Sequence, residues 1–354
     1  MDLLLSSEQQ LLQDSVAKFF ARHGGVKRAR ALRGSGFDIA VHRAMAAEGW
    51  FGILVPQEHG GLGLGLTELA LVLEQAGRVL APEPIAVTAL AAAAVARRAS
   101  TPWAAVLLAD ILSGKRIVAL ALGTEAASSG ESGITAEIQR GSARLAGRID
   151  DVAPAGDCHG ILIAAHASIG PVLCHLSRAT DGIVLGARAT VDGRPFGSLA
   201  LDGARTTEII DGHGSIYDVA LFAAAAELLG VMGAALDLTV EYLKTRKQFG
   251  KPIGSFQALQ HRAVDCYTRI ASTRSLLFQI AGQGVVPSPA MASALKAHAA
   301  GEALAVTKSA IQMHGAIGFT DEHDAGLFLK RAMWLSAWLG NEAVHRKRYT
   351  ASIE

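Results

Sequence analysis

The chain has 354 residues, half of them apolar, enough to bury a large core and to build two or three domains. Lys and Arg number 33 against 32 Asp and Glu, a formal charge of +1, so the charge balance gives no reason to expect nucleic acid or an anionic membrane surface as a partner. Cys158, Cys174 and Cys266 are widely spaced, odd in number and in no metal-ligand pattern, and are expected to be reduced, mostly buried thiols of a cytoplasmic protein.

The segment Met1 to Glu8 has no basic stretch and too short an apolar run for a signal peptide. Residues 1 to about 115 read as helical. Ser7 and Gln10 form a capping-box pair, after which Leu12, Val16, Phe19 and Phe20 fall on one helical face. A Gly-rich stretch from Val55 to Gly65 precedes a further helical run that includes Leu71-Val72-Leu73-Glu74, and the Ala-rich run from Val87 to Ala99 is helical as well. Gly61-Leu62-Gly63-Leu64-Gly65 lacks the Lys-Ser/Thr of a phosphate loop and follows no strand, so a tight connection between helices is the expectation.

Composition changes near Lys115. Ile134, Ala136 and Ile138 alternate with polar residues, Arg140-Gly141-Ser142 turns the chain, and Ala143, Leu145 and Gly147 continue it, a hairpin signature. Short apolar runs at 161–165, 171–175, 183–186 and 198–201 complete an all-β segment. The helical period then returns, with helices expected at roughly 216–246, 255–283 and 289–313 and from about 324, Pro287 and Pro289 marking one break. The most apolar stretch, 220–240, is interrupted by Glu227 and Asp237, which predicts a buried bundle helix and no membrane insertion. The order is α, β, α, with domains at 1–115, 116–213 and 214–354, the last long enough for a four-helix bundle.

Two segments stand out. Thr245 to Gln257 ends one helix with basic residues, turns through Gly250 and Gly254, and starts the next helix near Ser255. Arg246 there either complements the helix dipole or offers its fork to a phosphate beside the ring of Phe249; on the residues alone the dipole reading comes first. Gln312 to Thr320 is a second helix-ending turn. Its Gly315 and Gly318 either cap the helix or let another molecule approach the backbone, and His314 reads as a satisfied structural histidine.

Together these segments closely resemble the C-terminal signatures of the acyl-CoA dehydrogenase family, and Leu54-Val55-Pro56 through Gly63 resembles its N-terminal one. The resemblance implies an α+β multidomain fold with an N-terminal helical domain, a middle β-barrel-like domain and a C-terminal four-helix bundle. It implies FAD-dependent α,β-dehydrogenation of acyl-CoA thioesters, in which a carboxylate takes the α-proton and the flavin takes the hydride. It also implies that Arg246, Phe249, Gln257, Gln312, Met313, Gly315 and Ala316 hold the FAD of a neighbouring subunit, Ala316 standing where a second Gly is usual.

The resemblance fails elsewhere. The flavin-facing Thr-Glu-Pro-Gly-Ala-Gly-Ser-Asp run aligns with Thr124 to Glu131, which has lost the Pro and most of the pattern, and a Trp-Ile-Thr run aligns with Asp151-Val152-Ala153. The two positions where the family carries its base fall on Leu339 and Ala220. Glu342 and Glu227 are nearby substitutes, but Glu342 is expected instead to be a solvated charge near His345 and Arg346, and Glu227 an internal or interface carboxylate with a partner. The expectation is therefore a subunit without a base that completes the FAD site of a catalytic paralogue in an α2β2 heterotetramer. Acyl-CoA, including steroid side-chain thioesters, would be bound mainly by that partner, and an electron-transfer flavoprotein would be the acceptor. Two other readings stay open: a self-sufficient flavoenzyme with Glu342 as displaced base or with base-free oxygen chemistry, and a flavin-free scaffold or regulatory protein.

Overall fold

The computed structural model describes residues 5–123, 133–188, 190–212, 214–284 and 286–353. The N-terminal part is helical: α1 (Ser7–Arg22), α2 (Gly25–Ala31), α3 (Ile39–Ala47), α4 (Leu66–Arg78), α5 (Ile85–Ala96) and α6 (Pro102–Leu112). The capping box of α1 lies one residue earlier than expected. Ser6 Oγ accepts from the Gln9 amide at 3.2 Å and Gln9 Oε1 accepts from the Ser6 amide at 3.0 Å. Gln10 instead donates to the Leu5 carbonyl at 3.2 Å, so with consecutive serines the box closes on the first one. Val16, Phe19 and Phe20 are buried as the periodicity predicted, while Leu12 is half-buried.

The Gly-rich stretch before α4 is a folded-back connection. Leu62, Gly63 and Leu64 donate to the carbonyls of Gly52, Val55 and Ile53, each at 2.8 Å. A Cβ on Gly61 would lie 2.1 Å from the Val55 carbonyl oxygen, so only glycine fits there.

The middle region forms one mostly antiparallel sheet of β1 (Val118–Ala121), β2 (Ile134–Gln139), β3 (Ser142–Val152), β4 (Gly160–Ala167), β5 (Gly170–Ser177), β6 (Ile183–Arg188), β7 (Phe196–Thr206) and β8 (Ile209–Asp211). The strand order is β6-β7-β3-β2-β4-β5-β8, with β1 pairing β4 in parallel. The β2–β3 hairpin turns in two residues, Arg140 (φ 50°) and Gly141 (φ 77°), with Gln139 opposite Ser142. β4 is buried on nearly every residue because it is paired on both edges and covered on both faces, and Ile161, Ile163, Leu145, Cys174 and Leu199 share its core.

Helices resume with α7 (Gly214–Thr245), α8 (Gln257–Ala281), α9 (Pro289–His314), the single turn α10 (Ala316–Phe319), α11 (Ala325–Ala337) and α12 (Glu342–Ile353). Ser288 caps α9, its side chain accepting from the Met291 amide at 3.3 Å with Pro289 at the first helical position. α9 packs against α8, α11 and α12. α7 is apolar and long enough to cross a membrane, yet 94% of its most apolar window is buried within the chain, the behaviour of a core helix.

The chain groups into two compact units, one of Met1–Ala31, Ala70–Ala81 and Leu221–Glu354, the other of Leu32–Leu69 and Pro82–Ala220. In the first, α4 and α7 cross backbone on backbone. A Cβ on Gly230 would lie 1.9 Å from the Glu74 carbonyl oxygen, and one on Gly77 would lie 2.1 Å from that of Glu227. In the second, α5 packs on α6 and β1.

Candidate functional site

After α7 ends, the chain does not run directly into the next helix. The Arg246 amide continues the helix by donating to the Tyr242 carbonyl at 2.9 Å. A small hairpin follows, Lys247–Gln248 against Lys251–Pro252, closed by Ile253 N–H donating to Arg246 at 2.8 Å. Its two tip residues are both left-handed, Phe249 at φ 53° and Gly250 at φ 78°, the backbone of a two-residue primed turn. Phe249 is thereby thrown into solvent at 90% exposure, edge-on to Phe256 at 6.1 Å. A 3-10 turn, Ile253–Ser255, then leads into α8 at Gln257, two residues later than the sequence suggested, with no side chain capping the helix.

The second segment ends α9. Gly315 adopts φ 67° and ψ −142°, and nothing lies within 4 Å of where its Cβ would be. Gln312, Gly315 and Ala316 are exposed, whereas Met313 is 4% exposed with its side chain in the core, which leaves only its backbone to a ligand. The two glycines have different work. Gly318 is buried, and a Cβ there would sit 2.7 Å from the Ile311 carbonyl oxygen, so it serves packing while Gly315 faces open space. His314 Nδ1–H donates to the Ala310 carbonyl at 2.7 Å, as expected of a structural histidine, and burial lowers its pKa from the ordinary histidine value.

Arg246, Gln257 and Gln312 are all exposed, and among the described residues none of their side chains makes a hydrogen bond. A guanidinium, two carboxamides, a solvated aromatic face and an uncovered glycine backbone form a donor set suited to a diphosphate with a purine attached. The residues present therefore fit the pyrophosphate and adenine of FAD.

The two positions that the family resemblance assigns to the base are an alanine and a leucine, side chains that accept no proton. Ala220 is fully buried on α7. Leu339, 3% exposed, sits at φ 61° in the turn between α11 and α12, followed by Gly340 at φ 108°. This turn is held from below. Lys296 Nζ, with no solvent exposure, donates to the carbonyls of Ser336 and Gly340 at 3.1 and 3.0 Å, and His345 Nε2–H donates to that of Leu339 at 3.0 Å. Burial pushes Lys296 down to about 7 and His345 down to about 4.

Neither substitute carboxylate is unoccupied. Glu342 Oε1 accepts from Arg346 at 2.7–2.8 Å on the surface. Glu227 is buried against Arg331 at 2.6 Å, and Arg331 also donates to the carbonyls of Leu80 and Ala81, each at 3.2 Å. Thr124 to Glu131 lies outside the described residues; beyond it, Asp151 is on β3, with Val152 and Ala153 buried. Sequence reasoning missed Tyr242, whose ring packs on His314, and the Lys296–His345 clamp. The signal for Lys296 was present: its helical neighbours Ala292, Ala299 and Ala300 are all small and apolar, a surrounding that solvates no ammonium.

Comparison with known proteins agrees over the whole chain. The model for the acyl-CoA dehydrogenase N-terminal domain matches residues 6–115, and that for the C-terminal domain matches residues 219–353. Acyl-CoA dehydrogenase IpdE2 of Mycolicibacterium smegmatis is 32% identical over 353 residues, 99% of this chain and all of that one. A variant of the Tcur3481–Tcur3483 steroid ACAD superposes with a TM-score of 0.90 at 30% identity, covering 98% of this chain and 97% of that one. One chain of the crystal structure of the ChsE4–ChsE5 complex from Mycobacterium tuberculosis superposes with a TM-score of 0.91 at 26% identity, covering 100% of this chain and 99% of that one. From its first helix to its last, the chain belongs to the acyl-CoA dehydrogenase family.

Proposed function

We propose that this chain is the non-catalytic subunit of a heteromeric acyl-CoA dehydrogenase, lending its exposed half-site to the FAD of a catalytic paralogue. One observation carries the reading: Leu339 fills the base position as a buried apolar side chain, while Arg246, Gln257 and Gln312 stand solvent-facing with no hydrogen-bond partner among the described residues of their own chain. When bound, FAD would accept the β-hydride of an acyl-CoA thioester and pass electrons to an electron-transfer flavoprotein. This chain's part is binding. Arg246 neutralises pyrophosphate charge, Phe249 offers a face to the adenine, Gln257 and Gln312 offer carboxamide hydrogen bonds, and the uncovered Gly315 lets the cofactor come close to the backbone of its turn. The α-proton falls to a carboxylate of the paralogue, which also holds most of the acyl-CoA. The similarity to a steroid ACAD and to a two-protein complex supports a bulky, steroid-like acyl group and a heterotetramer.

The test is flavin content. Purified alone, the chain is expected to be colourless; co-expressed with a paralogue carrying the base, it is expected to co-purify at about one FAD per pair. Arg246→Ala in this chain should deplete flavin from the pair. A yellow homo-oligomer near one FAD per chain would overturn the proposal.

A further inference from the structure

The two segments of the half-site are separated by more than sixty residues, from Arg246 to Gln312, and among the described residues the side chains of Arg246, Gln257 and Gln312 make no hydrogen bond that would tie one segment to the other. What joins them is a group of three rings beneath the surface. The ring of Tyr242 lies 4.6 Å from that of His314 at an interplanar angle of 30°, and His323 lies 4.4 Å from His314 and 6.2 Å from Tyr242. Each member is tied to one part of the site. The Tyr242 carbonyl receives the Arg246 amide at 2.9 Å, so its backbone sets where the first segment leaves the helix. His314 immediately precedes Gly315, and its Nδ1–H anchors it to Ala310 at 2.7 Å. His323 Nδ1 accepts from the Ala325 amide at 3.2 Å and so belongs to the start of α11.

His314 is 3% exposed and its Nε2 has no hydrogen-bond partner among the described residues, so its ring is placed there by stacking and by a single backbone bond. A buried nitrogen left unpaired is costly, and contact with flanking rings is the compensation this site shows. Removing the Tyr242 ring takes away one of the two rings that flank His314, and removing the His314 ring takes away the one nearer to Tyr242.

We infer that Tyr242 and His314 are positioning residues that set the spacing between the Arg246 turn and the Gln312–Gly315 turn, and so determine how tightly this chain holds the distal half of FAD. The inference rests on the proposed lending of the half-site. It goes beyond it by assigning the affinity to a contact that touches no cofactor.

Two measurements test it. In the co-purified pair, free FAD is followed by fluorescence after dilution. Tyr242→Leu and His314→Leu should each raise the FAD dissociation constant about tenfold or more, while Tyr242→Phe, which keeps the ring, should leave it within about twofold of the unaltered pair. In the chain alone, amide exchange is read at two reporters, the Ile253 N–H that closes the first turn on Arg246 and the Gly315 N–H that closes the second on Gln312. Coupling predicts crossed effects: His314→Leu speeds exchange at Ile253, and Tyr242→Leu speeds exchange at Gly315. If each substitution disturbs only its own segment, or if FAD retention is unchanged by both, the inference is wrong. If Arg246→Ala also leaves flavin in place, the lending itself is wrong and the inference falls with it. If Arg246→Ala strips flavin while the ring variants do not, only the positioning role is lost.

Discussion

Replacing Lys296 with methionine keeps most of the buried chain and removes the charge that α9 sends under the Leu339 turn, and the consequence is a change in how stability depends on pH. In the unfolded chain this lysine titrates near 10.5, whereas burial pushes it down to about 7 in the fold. Between those values the unfolded chain binds a proton that the folded chain does not, so stability rises as pH increases from about 7 toward 10.5 and is lowest where the ammonium is buried charged. At roughly 1.4 kcal/mol per pH unit the rise is at most about 5 kcal/mol. The carbonyls of Ser336 and Gly340 favour the charged form by about 1.5–3 kcal/mol and reduce it, giving an expected rise of about 2–3.5 kcal/mol. The Lys296→Met protein would carry none of it, although the two orphaned carbonyls would lower its stability by an amount that does not vary with pH. Urea unfolding of both proteins from pH 6 to 10 gives the difference curve directly, since every other titrating group is common to both. Parallel curves would refute the reasoning and show that the ammonium finds solvation that its burial denies.

Other perturbations follow from the same packing. Gly230→Ala would force a methyl within 1.9 Å of the Glu74 carbonyl oxygen and separate α4 from α7; a loss of about 3 kcal/mol or more is expected by thermal or chemical denaturation. Arg331→Met strands Glu227 in the core and releases the Leu80 and Ala81 carbonyls, with an expected cost of about 3–5 kcal/mol, much of it recovered when Glu227 is also replaced by Leu. His42, fully buried beside Phe37 and Phe51, is held down to about 4 by burial. Its folded value lies below the unfolded 6.5, so the stability it confers is present above pH 6.5 and lost toward pH 4. His42→Leu should flatten that acid limb by about 3 kcal/mol, read as the change in urea midpoint between pH 7 and pH 4.5.

The sequence carried those features that depend on local pattern. Arg140-Gly141-Ser142 between alternating runs announced a hairpin, which the structure tightens to the two left-handed residues Arg140 and Gly141 because Ser142 already pairs with Gln139. The helix ends at Arg246 and Gln312 were legible because a surface turn keeps its polar and glycine residues whatever packs beneath it. The same logic hid the Phe249 hairpin, since nothing in a phenylalanine signals φ 53° and its conformation is set by the pairing of Lys247 and Gln248 with residues beyond it. Two consecutive serines left the α1 cap ambiguous by one position, which only the Gln9 and Gln10 side chains resolve. The clamp of Lys296 and His345 on the turn, and the stack of Tyr242 on His314, join residues far apart in the chain, and no local periodicity encodes which distant carbonyl or ring a side chain will meet.

The turn at Leu339 separates shape from chemistry. Lys296 and His345 hold the turn through the carbonyl oxygens of Gly340 and Leu339, groups that every amino acid possesses, so these contacts do not themselves depend on the side chain at 339. Such a position can drift. A lineage could exchange a reactive side chain for an inert one there in a single step and inherit the old architecture intact, which is how a gene copy changes its occupation without first having to relearn how to fold.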